Sequence, residues 1–173
     1  MDCTAQSSTG WNPVVIRSSP MESRTLKDIR NYMLEEKAVE GISGNVMFQE
    51  RVNGEALATI MLDGTPEDGE YPAHIHMGSV AESPGDIAFT FTPVNGATGM
   101  SKTNVAALDD GTAFMYNDVL SYDGYVNVHL SADELGTLVA QNDIGANELT
   151  GESKTYELDE RAVEGISGTV MFE

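Results

Sequence analysis

The 173-residue chain carries 28 acidic against 9 basic side chains, a formal charge of −19, and 40% of its residues are hydrophobic. A chain of that size and hydrophobicity buries a real core and is not a disordered polymer. Its charge repels phosphate backbones and anionic headgroups, which argues against nucleic-acid and membrane-surface partners, and no apolar run is long enough for a transmembrane segment.

Residues 1–24 read as a linker rich in Ser, Thr, Gly, Pro and Asn, with Trp11 and Val14, Val15, Ile16 as an apolar island. Cys3 is the sole cysteine, so no internal disulfide framework exists. It precedes a small polar tether, the layout of a bacterial lipoprotein whose signal peptide has been removed. The expectation is a secreted or cell-envelope protein anchored through Cys3, against the plainer reading of a free thiol in a tail. Residues 24–30 mix charges at near-helical spacing over too short a run to sustain a helix.

From Gly41 the punctuation is that of an antiparallel β protein. Residues 42–51 and 55–62 are alternating runs joined at Asn53-Gly54, a dipeptide suited to the positive φ of a type I′ turn. An acidic loop over 63–70 follows, then a strand around His74, a strand over 87–94, a second turn at Asn95-Gly96 and a strand over 100–108. Ser131 and Glu134 have capping-box spacing and mark the one helical candidate, 131–135, which equally fits a turn after the His129 strand. Short strands at this rhythm predict an all-β, antiparallel sandwich or barrel with a short helix at most, of which a Greek-key-like β-sandwich is the reading taken.

The chemistry concentrates in the histidines. His74 and His76 flank Ile75, and a strand points alternate side chains to one face, so both imidazoles look the same way. His129 ends the alternating run Tyr125-Val126-Asn127-Val128-His129 and supplies a third imidazole. These are all the histidines of the chain. Three imidazoles suit copper or zinc and leave a coordination position open; hard cations such as Mg or Ca prefer oxygen. The competing reading is three histidines satisfied by hydrogen bonds inside a sandwich.

The segments YPAHIHMGSV at 71–80, PGDIAFTF at 84–91 and GYVNVHL at 124–130 resemble the CHRD (chordin) domain. That family's pattern runs from an Ala-His-Ile-His-Gly-type strand through a Gly-Pro-hydrophobic strand to a Tyr-Val-Asn-Val-His strand and a Gly-Glu-Ile-type ending. The resemblance spans about residues 40–146. Met77 intervenes before Gly78, and Thr137-Leu138-Val139-Ala140 stands where the usual ending would be. The resemblance implies a β-sandwich module, often extracellular or bacterially secreted, with no enzymatic activity established for the family as a whole. A sandwich strand bearing His-x-His is also distantly similar to copper-zinc superoxide dismutase. That pattern needs a fourth copper imidazole and a separate histidine-rich zinc site, which three histidines do not furnish.

A second signal is internal. Residues 32–48, YMLEEKAVEGISGNVMF, recur as YELDERAVEGISGTVMF at 156–172, with thirteen of seventeen positions identical. A spacing of 124 residues is that of a whole domain and far exceeds solenoid repeats. The expected organisation is an N-terminal arm over 1–31, a sandwich over 32–150, and the start of a second copy over 151–173. Either the parent is a longer tandem array of which this is a fragment, or the second copy docks as an extra strand, on this body or a neighbouring copy, and buries Val170 and Phe172.

No Gly-x-Ser-x-Gly elbow, catalytic Cys-His arrangement or phosphate loop occurs. The acidic turns at 63–68 and 109–111 lack EF-hand spacing. The methionines read as core filling, and Met77 points away from the face of His76. The reading is an exported module that binds rather than catalyses, with a metal ion as its partner. The alternative is an adhesion or matrix repeat with structural histidines and an extracellular protein partner; a copper-dependent redox enzyme ranks third.

Overall fold

The computed structural model describes residues 28–148, 154–158 and 168–172. Cys3, Trp11 and the apolar island at 14–16 lie outside the described residues. Twelve strands and little helix make the protein all-β, as its alternating pattern predicts.

Strands β1 (Ile29–Glu36), β2 (Ser43–Glu50) and β3 (Ala56–Asp63) form an antiparallel meander. Each turns alternate residues inward: Tyr32 and Leu34 from β1, Val46 and Phe48 from β2, Ala58, Ile60 and Leu62 from β3. The β2–β3 hairpin closes over residues 51–55, but not as the expected type I′ turn: Gly54 alone has positive φ, at 84°, and its amide bonds the Arg51 carbonyl, a longer loop with the glycine at its left-handed position. Short strands β4 (Glu70–Tyr71), β7 (Val94–Asn95) and β8 (Met100–Val105) extend this half of the sheet beyond β3. The other half holds β5 (Ala73–Met77), β6 (Ile87–Thr90), β9 (Asp123–His129) and β10 (Leu138–Gly145).

All pairings are antiparallel and run in the order β4-β7-β8-β3-β2-β1-β10-β9-β5-β6, a single curled sheet. The returning strand β10 lies beside β1, next to β2 and β3, which is the Greek-key-like placement. β1 joins the halves through Glu35 opposite Gln141 and Glu36 opposite Ala140. Both halves contribute to one core, with Phe48, Ile60 and Phe91 packed in the same cluster as Ile75, Val126, Val128 and Val139.

One local expectation is corrected and one pair of alternatives resolved. The strand expected over 87–94 breaks into β6 and β7 after Phe91, whose amide still bonds the Ala73 carbonyl: the Thr92 amide turns to the Thr103 hydroxyl, and Pro93 has no amide to give. Of the two readings of 131–135 the turn holds, with the Glu134 amide bonded to the Ser131 carbonyl and the Thr137 amide to the Glu134 carbonyl. The helix, α1 (Tyr116–Val119), lies elsewhere; Asp118 caps it by accepting the Met115 amide at 2.8 Å. β1 itself was not anticipated from its charged flanks.

The second copy forms strands β11 (Lys154–Leu158) and β12 (Gly168–Phe172), which pair with each other as a separate two-stranded sheet. Val170 is half-buried and Met171 exposed there; Ile166 lies outside the described residues, and so does the Phe172 side chain.

Candidate metal centre

β5 and β9 lie side by side, with Ala73 opposite Val128, His74 opposite Asn127, Ile75 opposite Val126 and His76 opposite Tyr125. Alternation sends Ala73, Ile75, Val126 and Val128 into the core. The opposite face carries His74, His76, Tyr125, Asn127 and His129. Such a face ordinarily meets solvent, yet all three histidines are only 6–8% exposed and Asn127 is 5% exposed.

Two loops supply the cover. One, over 79–86, opens with a 3-10 turn (Val80–Glu82), and Asp143 of β10 holds it by accepting the Val80 amide at 2.8 Å. Gly85 donates its amide to the Tyr125 hydroxyl at 2.8 Å. A Cβ on Gly85 would strike the Met77 carbonyl, so glycine there lets the loop close onto the strand. The Tyr125 ring in turn stacks on His76, with centroids 5.1 Å apart and planes 15° off parallel. The other loop, 130–137, brings the Leu135 carbonyl over His129.

Each cover loop orients one imidazole. His76 Nδ1 lies 2.8 Å from the Gly85 carbonyl, and His129 Nδ1 lies 2.6 Å from the Leu135 carbonyl. A carbonyl only accepts, so each Nδ1 carries the hydrogen and, in the neutral ring, Nε2 keeps the lone pair. This is the carbonyl-backed arrangement that metal-bound histidines use. His76 Nε2 and His129 Nε2 are buried without a partner, and so is His74 Nδ1. Asn127 Oδ1, on the same face, also lacks one.

The three histidines converge. One ligand nitrogen from each lies within 4.8 Å of the others. The ring centroids of His74 and His129 are 5.0 Å apart, those of His74 and His76 5.9 Å. Three buried histidines lie close enough to bind a metal.

The electrostatics favour a bare ligand set. Burial, then the neighbouring imidazoles of His129 and His76, hold the His74 pKa down to about 4 against the pull of Asp109. His129 is lowered by burial and by His76, opposed by its bond to the Leu135 carbonyl. Protons therefore compete weakly for His74 and His129 near neutrality.

The structure brings together all three histidines singled out from the sequence. Met77 is exposed and lies outside the cluster. Tyr122 packs against Phe114, with centroids 4.9 Å apart, and Tyr125 is the tyrosine that touches the site. Sequence reasoning missed Asn127 and the two carbonyls of Gly85 and Leu135. Asn127 was visible as the polar residue two before His129 in an alternating strand; the carbonyls carry no side-chain signal. No helix among the described residues is long and apolar enough to cross a membrane. A comparison of the chain with family models, curated proteins and solved structures gives no match.

Proposed function

We propose that this protein is an exported CHRD-type binding module that holds one copper or zinc ion through His74, His76 and His129. One observation carries the reading: three imidazole nitrogens, buried and without partners, face one another on a covered sheet surface. Leaving such groups unpaired costs about 1–3 kcal/mol each, a cost that coordination removes. Imidazole selects borderline transition metals over Mg and Ca. His76 and His129 are backed by main-chain carbonyls, so the site is preorganised and binding requires little reordering. Three protein ligands leave room for a further donor, and Asn127 Oδ1 stands on the same face. The segments at 71–80, 84–91 and 124–130 support the family reading, and export follows from that resemblance.

Protein prepared without a histidine tag and titrated with Cu(II) or Zn(II) should bind one equivalent and melt at a higher temperature. His129→Ala should weaken binding at least ~100-fold while the apo protein stays folded, because it removes a ligand and leaves the other two uncompensated. Absence of stoichiometric binding to the wild-type chain would leave the histidines structural and favour the adhesion-repeat reading.

A further inference from the structure

The hairpin β11–β12 repeats β1–β2 in register as well as in sequence. In the first, Arg30 stands opposite Phe48, Tyr32 opposite Val46 and Leu34 opposite Gly44. In the second, Lys154 stands opposite Phe172, Tyr156 opposite Val170 and Leu158 opposite Gly168, every position 124 residues later. The positions that differ avoid the core: Met33, Glu35 and Lys37 are exposed and Asn45 is partly so. The residues that β1–β2 and its turn bury, Tyr32, Leu34, Ile42, Val46 and Phe48, are at most 3% exposed. They return unchanged as Tyr156, Leu158, Ile166, Val170 and Phe172.

A glycine adds an independent sign. A Cβ on Gly44 would strike the Met61 carbonyl of β3, so that position needs glycine because β3 runs beside it. Gly168 stands at the matching position, and among the described strands β12 pairs with β11 and not with β3. The copy thus retains the glycine that a strand in the slot beside β3 requires. A lone two-stranded hairpin is marginal in water, and this one carries an inward face matched to an existing core.

The slot is within reach of the same chain. The Arg30 guanidinium pairs with the Glu148 carboxylate, so residue 148 ends beside the start of β1. Lys154, the counterpart of Arg30, follows six residues later, and six extended residues span up to ~20 Å. Entering beside β10, β11 would run antiparallel to it as β1 does, with Asp159 taking the place of Glu35 opposite Gln141.

We propose that β11–β12 is an exchangeable copy of β1–β2: within one chain it inserts between β3 and β10, giving a circularly permuted body built from β3 to β12. Each hairpin is tethered at one end, β1–β2 to β3 through residues 51–55 and β11–β12 to β10 through residues 146–153. The inward faces are identical, so the arrangements differ mainly in loop closure. A loop less than twice as long shifts their populations by less than about threefold. β5 and β9, and with them the histidine face, belong to both arrangements.

The test uses the full chain. Val46 is fully buried opposite Ile60, and Val46→Asp makes the first hairpin unfit for the slot. The expected result is that Val46→Asp stays monomeric and keeps a cooperative melt and its aromatic near-UV signal. Val170→Asp should behave likewise, and the double variant should lose both properties. A second readout is a disulfide between Met61→Cys and Thr169→Cys in a Cys3→Ser background. Met61 stands opposite Asn45, so Thr169 reaches it only after exchange. Val46→Asp should raise the yield of that intramolecular link severalfold. If Val46→Asp unfolds as completely as the double variant and no link forms, the exchange does not occur. A folded Val46→Asp that is dimeric and linked between chains overturns the within-chain arrangement in favour of a neighbour's hairpin.

Discussion

The two faces of the β5–β9 pair are equally buried and chemically opposite. The inner face presents Ala73, Ile75, Val126 and Val128, all completely buried. Such side chains gain free energy by leaving water, ~1.5–3 kcal/mol for each large one. The outer face presents His74, His76, Asn127 and His129, which lose hydration and keep unpartnered nitrogens and an unpartnered oxygen. Burial stabilises the fold on the first face and strains it on the second. The contrast separates residues kept for packing from residues kept for what they bind.

The comparison breaks most visibly at Ile75. Ile75→Ala should cost about 4 kcal/mol, because the methylenes leave a cavity in a tightly packed cluster. Chemical denaturation of the metal-free protein measures this directly. Acid acts on the other face with a somewhat smaller effect. His74 titrates near 4 when folded and near 6.5 when unfolded, so the unfolded chain binds more protons between those values. Stability of the apo protein is therefore full above pH 6.5 and falls as the pH drops toward 4. The loss from His74 is on the order of 3 kcal/mol, and His129 adds to it in the same direction. Denaturation midpoints that stay flat across that window would contradict the buried, neutral state of His74. The smallest effect sharpens the contrast. His74→Leu replaces an unsatisfied imidazole with an apolar group, and should change apo stability by less than about 1 kcal/mol while abolishing tight metal binding. An equal loss of stability from His74→Leu and Ile75→Ala would erase the distinction between the faces.

How much of this was legible in the chain depends on the range of the interaction. Alternation across His74-Ile75-His76 and Tyr125 to His129 revealed both the strands and the shared face, because a strand's facing rule is local. Asn53-Gly54 likewise announced the β2–β3 hairpin through the φ it tolerates. β1 escaped because its buried residues, Tyr32 and Leu34, sit among exposed Arg30, Met33, Glu35 and Glu36. α1 escaped because four residues give no period to detect. The cover of the site was invisible for a different reason: it depends on Gly85 meeting Tyr125 and on Asp143 meeting Val80, contacts across 40 and 63 residues. Local pattern places the imidazoles on a face; only the folded loops bury that face and set its nitrogens.

The junction between the halves of the sheet also has a mechanical consequence. β1 alone among the described strands touches both, with β2 along most of its length and β10 only near Glu35 and Glu36. Tension applied at Ile29 along this strand loads the β2 ladder in shear, where its bonds resist together. Tension applied across the sheet there meets the short β10 contact, the amides of Lys37 and Ala38 on the Val139 and Leu138 carbonyls, the Asn142 side-chain amide on the Met33 carbonyl and the Arg30–Glu148 ion pair, with the shared core behind them. The β1–β10 seam thus has a shorter ladder than β1–β2, and it does not pass through the histidine strands.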